Sequence, residues 1–146
     1  MSLFPATIRC SLLNVGRGVL VQQVNCRGKM GKGLALALRE QWPKVFEDYQ
    51  LKFQSVGWRP GDAQFVQVAS DIWVANLAGQ DRYGREPGVV YTRYPDLGRA
   101  LKLADNFAHA QALPLYVPYG LGCGLAGGDW ETVCELLPAG TIVCRL

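Results

Sequence analysis

Apolar and polar positions change period along the chain in blocks. Thr7–Leu13 and Gly18–Asn25 read as two strands; in the second, Val19, Leu20, Val21 and Val24 flank Gln22 and Gln23, the pattern of a strand largely covered on both faces. A glycine-punctuated loop over 26–33 leads into residues 34–42 (LALALREQW), apolar nearly all round, which predicts a helix buried against a sheet. Pro43 suits the first turn of a second helix on which Val45, Phe46, Tyr49 and Phe53 share a face. After a turn at 58–62 come two short strands, Ala63–Val68 and Ile72–Leu77, and a long polar and aromatic loop over 79–94. Leu97, Ala100, Leu101, Ala104 and Ala108 form one stripe of a helix over Asp96–Leu113. A strand at Leu115–Pro118, a glycine loop at Tyr119–Gly128, a helix at Asp129–Leu137 and a strand at Thr141–Arg145 complete the order. Strands alternating with helices predict an α/β sandwich, helices covering both faces of a mostly parallel or mixed sheet. No repeat, low-complexity tract or linker interrupts it, so one domain over residues 1–146 is expected.

Composition narrows the chemistry. With 49% hydrophobic and 18% charged residues in 146, the chain can build a full core, which excludes intrinsic disorder. Lys and Arg number 15 against 12 Asp plus Glu, a net charge of +3 spread evenly. That does not mark a dedicated nucleic-acid binder, so direct nucleic-acid binding is not expected, whereas a small anionic ligand is compatible. No apolar run approaches the roughly 20 residues of a membrane span, and Met1–Cys10 does not read as a secretion signal, so a cytoplasmic location without membrane contact is expected. The five cysteines (Cys10, Cys26, Cys123, Cys134 and Cys144) are odd in number and never closer than ten positions, which predicts free thiols in a reducing compartment and excludes zinc-ribbon and CxxC spacing. His109 is the sole histidine and lies on the polar stripe of its helix with Lys102 and Asp105, as a solvated residue. A multi-histidine metal site is impossible; neither metal nor cofactor is expected. The sequence carries no signature of an oligomeric state.

The remaining signal is glycine. Asn25–Gly33 and Gly120–Gly128 each follow a strand and precede a helix, the context in which main-chain amides and a helix N-terminus receive anions. Glycine lets the backbone approach a ligand closely; it also makes plain tight turns. The first loop is not a P-loop, since GxxxxGK[ST] is absent. The second contains GxGxxG at Gly122, Gly124 and Gly127, but the strand that follows ends in Arg145 rather than an acid, against a dinucleotide fold. Two such loops point to a ligand with more than one phosphate contact.

Three segments, in order, resemble the macro domain, the ADP-ribose-binding α/β/α module: 24–35 (VNCRGKMGKGLA), 74–80 (VANLAGQ) and 117–130 (VPYGLGCGLAGGDW). The short first loop looks most like the subgroup of ADP-ribose-1''-phosphate phosphatases and terminal ADP-ribose glycohydrolases. The resemblance implies a three-layer sandwich with a mixed, roughly six-stranded sheet and ADP-ribose, free or attached to a substrate, along its carboxyl edge. It implies that the Asn25 amide meets the distal ribose, with Cys26, Met30, Gly31, Lys32 and Gly33 around that ribose and the adjoining phosphate. Gly120, Gly122, Cys123, Gly124 and Leu125 would line the pyrophosphate, and Tyr83 and Tyr91 would cover a ribose or the adenine. Asn25 and Gln80 are the candidates for orienting a catalytic water. Asn25 can equally cap its own turn, the tyrosines can simply pack their loop, and Asp129 stands where an N-cap belongs.

Two departures bear on mechanism. The glycohydrolase branch carries a lysine near the end of the NLAGQ-type strand and an aspartate just after GCGL; here those places hold Gly79 or Gln80, and Ala126, so lysine-adduct chemistry does not carry over. The Gly-Asp pair that recognises adenine is missing from residues 9–12 (RCSL). Cys26 and Cys123 remain as thiols near the loops, without a base beside them. The implied activity is hydrolysis of ADP-ribose-1''-phosphate or of an ADP-ribosyl ester; a non-catalytic ADP-ribose reader is the alternative, and an interaction protein with empty loops is the third reading.

Overall fold

The computed structural model describes residues 5–146. Its strands are β1 (Ala6–Arg9), β2 (Gly18–Gln23), β3 (Ala63–Ala69), β4 (Ile72–Leu77), β5 (Leu115–Pro118) and β6 (Ile142–Arg145). Its α-helices are α1 (Gly33–Gln41), α2 (Lys44–Ser55), α3 (Tyr94–Ala110) and α4 (Trp130–Cys134). They form one six-stranded sheet in the order β1-β6-β5-β2-β4-β3, parallel except where β3 pairs antiparallel with β4.

Strand alternation produces the three layers. On one face Val19, Val21, Ala75, Leu77 and Val117 pack beneath the α3 stripe of Leu97, Ala100, Leu101 and Ala104, joined by Val133 of α4. On the other, Leu20, Val24 and Val74 pack against Leu38, Val45 and Tyr49 of α1 and α2. β2 lies at the centre and five of its six residues are buried, as its apolar run predicted. The mixed sheet between helices agrees with the sequence reading. No helix among the described residues is long and apolar enough to cross a membrane.

Several expectations are corrected. The first strand stops at Arg9, and a 3₁₀ turn (Leu12–Asn14), capped by the Ser11 hydroxyl accepting from Leu13 N–H, takes the rest of the predicted stretch. The helix over Asp129–Leu137 shrinks to Trp130–Cys134, with Asp129 as its N-cap, accepting from Thr132 N–H at 3.0 Å. α1 is not buried all round: only Leu38 is fully covered, because one flank of the helix borders a cleft and Leu36 faces solvent. Nor are all five thiols free. Parallel pairing of β1 with β6 brings Cys10 and Cys144, 134 positions apart, to a Cα separation of 5.3 Å, and they form a disulfide. Local spacing carries no trace of a pair that only the ladder brings together. Cys26, Cys123 and Cys134 are free.

Candidate functional site: a cleft between two glycine loops

β2 has β5 on one side and β4 on the other, all three parallel, so the loops leaving their carboxyl ends meet. This is where the strand order changes direction, the place at which open α/β sheets bind ligands. The loops after β2 and β5 are the two glycine loops; the third, after β4, is the 79–93 segment. Together with the flank of α1 they enclose a cleft of about 940 Å³. Lys29, Lys32, Arg39 and Arg85 line it, and no Asp, Glu or His is among its lining residues. The cleft is therefore biased toward anions.

The first loop is shaped by side chains. Asn25, 8% exposed, accepts from Arg27 N–H at 2.9 Å through Oδ1 and donates through Nδ2 to the Lys29 carbonyl at 2.7 Å. The Tyr49 hydroxyl lies 2.7 Å from the Asn25 carbonyl oxygen and 2.9 Å from Oδ1, and accepts from Gly28 N–H at 3.1 Å. Burial raises the Tyr49 phenol above its ordinary range and keeps it a neutral donor. Asn25 thus holds the turn, the role open to any asparagine that ends a strand, and at least one of its amide hydrogens is committed to that bond.

The second loop is held by its own backbone. Leu121 N–H donates to the Pro118 carbonyl, Cys123 to Gly120, Gly127 to Gly124 and Gly128 to Gly122, at 2.8–3.1 Å. Gly120, Gly122 and Gly127 sit at φ 79°, 74° and 73°, where a side chain would be strained. Among the described residues the amides of Gly120, Gly122, Gly124 and Leu125 find no internal acceptor, nor do those of Met30 and Gly31 in the first loop. Cys123 departs from expectation: its amide closes a turn onto Gly120, and its thiol donates to the Leu121 carbonyl and does not line the cleft.

Of the other expected contacts, Met30, Gly31, Lys32, Gly33, Gln80, Tyr83, Gly120, Gly122, Gly124 and Leu125 line the cleft. Tyr91 does not: it is buried, its hydroxyl accepts from Glu86 N–H, and its ring packs under the 79–93 loop that Tyr83 tops. Cys26 is also turned away, its thiol donating to the Gln80 carbonyl; burial first, and then the Asp81 charge, push that thiol up to about 11. Burial likewise raises the Cys123 thiol. Neither is a ready thiolate. His109 sits on α3 beside Asp105, its side chain 75% exposed and remote from the cleft lining.

Sequence reading missed Gln22 and Gln23 as site residues. Gln22, 2% exposed, donates to Asn76 Oδ1 at 2.7 Å beneath the first loop. Gln23 Nε2 donates to Gln80 Oε1 at 2.9 Å and to Thr92 Oγ1 at 3.0 Å, and Thr92 donates on to the Gly122 carbonyl at 2.6 Å. Gln23, at the end of β2, therefore ties down the segment after β4 directly and the loop after β5 through Thr92. The signal available was a polar pair closing an otherwise apolar central strand.

No family model matches the chain, and no curated protein matches it. Solved structures do. A protein of unknown function from Bacteroides thetaiotaomicron is 29% identical with a TM-score of 0.86 over 97% of each chain. A macrodomain protein from Streptomyces coelicolor is 26% identical with a TM-score of 0.78, again over 97% of each. The fold is the macrodomain fold. The macrodomain architecture extends to Thermosipho africanus DarTG, solved in complex with ADP-ribose, at 19% identity and a TM-score of 0.75; all of this chain aligns with 43% of that longer one.

Proposed function

We propose that the cleft binds ADP-ribose and that the chain hydrolyses an ADP-ribose derivative, its 1''-phosphate or an ADP-ribosyl ester. One observation carries this reading: free amides from two loops on neighbouring parallel strands surround a single cleft that holds four cationic side chains and no acid. A diphosphate suits such a donor set, since each amide hydrogen can meet an anionic oxygen without a competing carboxylate. The cleft volume, about 940 Å³, also fits a small-molecule site. Thermosipho africanus DarTG, part of which shares this fold, was solved in complex with ADP-ribose, which supports the ligand class.

With no carboxylate or imidazole in the lining, and no lysine at the strand end, the reaction would rest on positioning. Gln80 Nε2 donates one hydrogen to the Arg82 carbonyl and has a second for a water. The water oxygen would bond to phosphorus as the phosphorus–sugar oxygen bond breaks, its proton passing by way of the substrate's own phosphate to the departing sugar oxygen, giving ADP-ribose and inorganic phosphate. Loop amides would stabilise the developing charge, each such donor contributing about 3 kcal/mol.

A non-catalytic ADP-ribose reader is the second reading, favoured by the engagement of both Asn25 and Gln80 in internal bonds. Calorimetry with ADP-ribose, followed by phosphate release from ADP-ribose-1''-phosphate and a panel of ADP-ribosylated proteins, separates the two. Micromolar binding with turnover supports the hydrolase, binding without turnover makes the chain a reader, and no heat at millimolar ligand removes both.

A further inference from the structure

Three successive carbonyls of the first loop are pinned by side chains, two of them from helices outside the loop motif. Gln50 Nε2 of α2 donates to the Gly28 carbonyl, Asn25 Nδ2 to that of Lys29 at 2.7 Å, and an Arg39 guanidinium nitrogen of α1 to that of Met30 at 3.1 Å. No peptide bond among the described residues is cis. In a trans peptide the N–H of each residue points opposite to the carbonyl before it. Fixing the Met30 carbonyl on Arg39 therefore fixes the direction of the Gly31 N–H, away from α1. That amide has no internal acceptor, and Gly31 lines the cleft.

Arg39 is built for this. Its guanidinium lies 3.6 Å from the centre of the Phe46 ring, which holds the planar group in place. Arg27, Arg93 and Arg99 pair with carboxylates, but among the described residues Arg39 has none. Among the described residues, the bond to the Met30 carbonyl is its one hydrogen bond. We infer that Arg39 is a positioning residue, which sets the Gly31 amide to receive the diphosphate of the ligand. The inference rests on the ADP-ribose reading of the cleft and extends it to a residue of a helix that the glycine motifs do not include.

The test compares Arg39→Ala and Arg39→Lys with the unaltered protein, by titration with ADP-ribose and with adenosine and by the Gly31 amide resonance. Expected for Arg39→Ala are a shifted Gly31 resonance before any ligand is added, roughly tenfold weaker ADP-ribose binding and unchanged adenosine binding. Arg39→Lys, which can still donate to the carbonyl but cannot stack as a plane, should recover part of the ADP-ribose affinity and move the Gly31 resonance back. Equal weakening of both ligands with a fall in melting temperature would make Arg39 merely structural and overturn the inference. So would weakened ADP-ribose binding with an unmoved Gly31 resonance, the mark of a direct ionic contact. If the unaltered protein binds ADP-ribose and Arg39→Ala binds it equally well, the inference fails and the ligand reading stands. If the unaltered protein binds no ADP-ribose, both fall.

Discussion

The two glycine loops border one cleft yet are made in opposite ways. The loop after β5 takes its shape from backbone turns and from glycines at positive φ, with few side chains involved. The loop after β2 takes its shape from Asn25, Tyr49, Gln50 and Arg39, which hold its peptide groups from the strand end and from two helices. A loop of the first kind is broken by adding atoms to it; one of the second kind is broken by deleting atoms elsewhere. A shared richness in glycine thus conceals different vulnerabilities.

The contrast can be tested in order of size. Gly127→Ala should act most strongly: its Cβ would stand 2.8 Å from the Val89 carbonyl oxygen at φ 73°, and strain plus overlap should cost about 3 kcal/mol in denaturant unfolding, with loss of ligand binding. Asn25→Ala, which removes three bonds within the loop and leaves the Lys29 carbonyl without its donor, should cost about 2 kcal/mol and weaken ADP-ribose binding. Normal stability in that variant would mean the loop holds itself. Tyr49→Phe deletes only the hydroxyl beneath Gly28 and should cost about 1 kcal/mol.

A smaller effect is set by pH. Because the Cys26 thiol moves from its ordinary value near 9.0 to about 11, the folded protein keeps a proton that the unfolded chain releases. The stability tied to this thiol is complete below pH 9 and lost as pH rises toward 11. Unfolding followed between pH 8 and 10 should show a shallower decline for Cys26→Ala than for the unaltered protein. The least change belongs to Gly31→Ala, where φ is ordinary and nothing lies within 4 Å of the added carbon: stability should stay within about 0.5 kcal/mol. A large loss there would erase the distinction between the loops.

Much of this was readable from the chain. The ranges of β4 and β5, the placing of the glycine loops between strand and helix, and the two-sided burial of β2 follow from periodicity and turn chemistry, which act over a few residues. The features that escaped depend on distant partners. Asn25 could hold its turn or face a ligand; it lines the cleft, and a hydroxyl 24 positions away shows that it also holds the turn. Tyr91 looked like Tyr83 in sequence, and loop packing alone buried one and exposed the other. The purpose of Gln23 becomes visible only when Gln80, Thr92 and Gly122 arrive beside it.

The bridge between Cys10 and Cys144 has a practical outcome for handling the protein. It encloses nearly the whole chain, every loop of the cleft included. One protease cut at any point within that span would leave the two pieces fastened to each other, and the nicked molecule would migrate as a single species on a gel until a reductant is added.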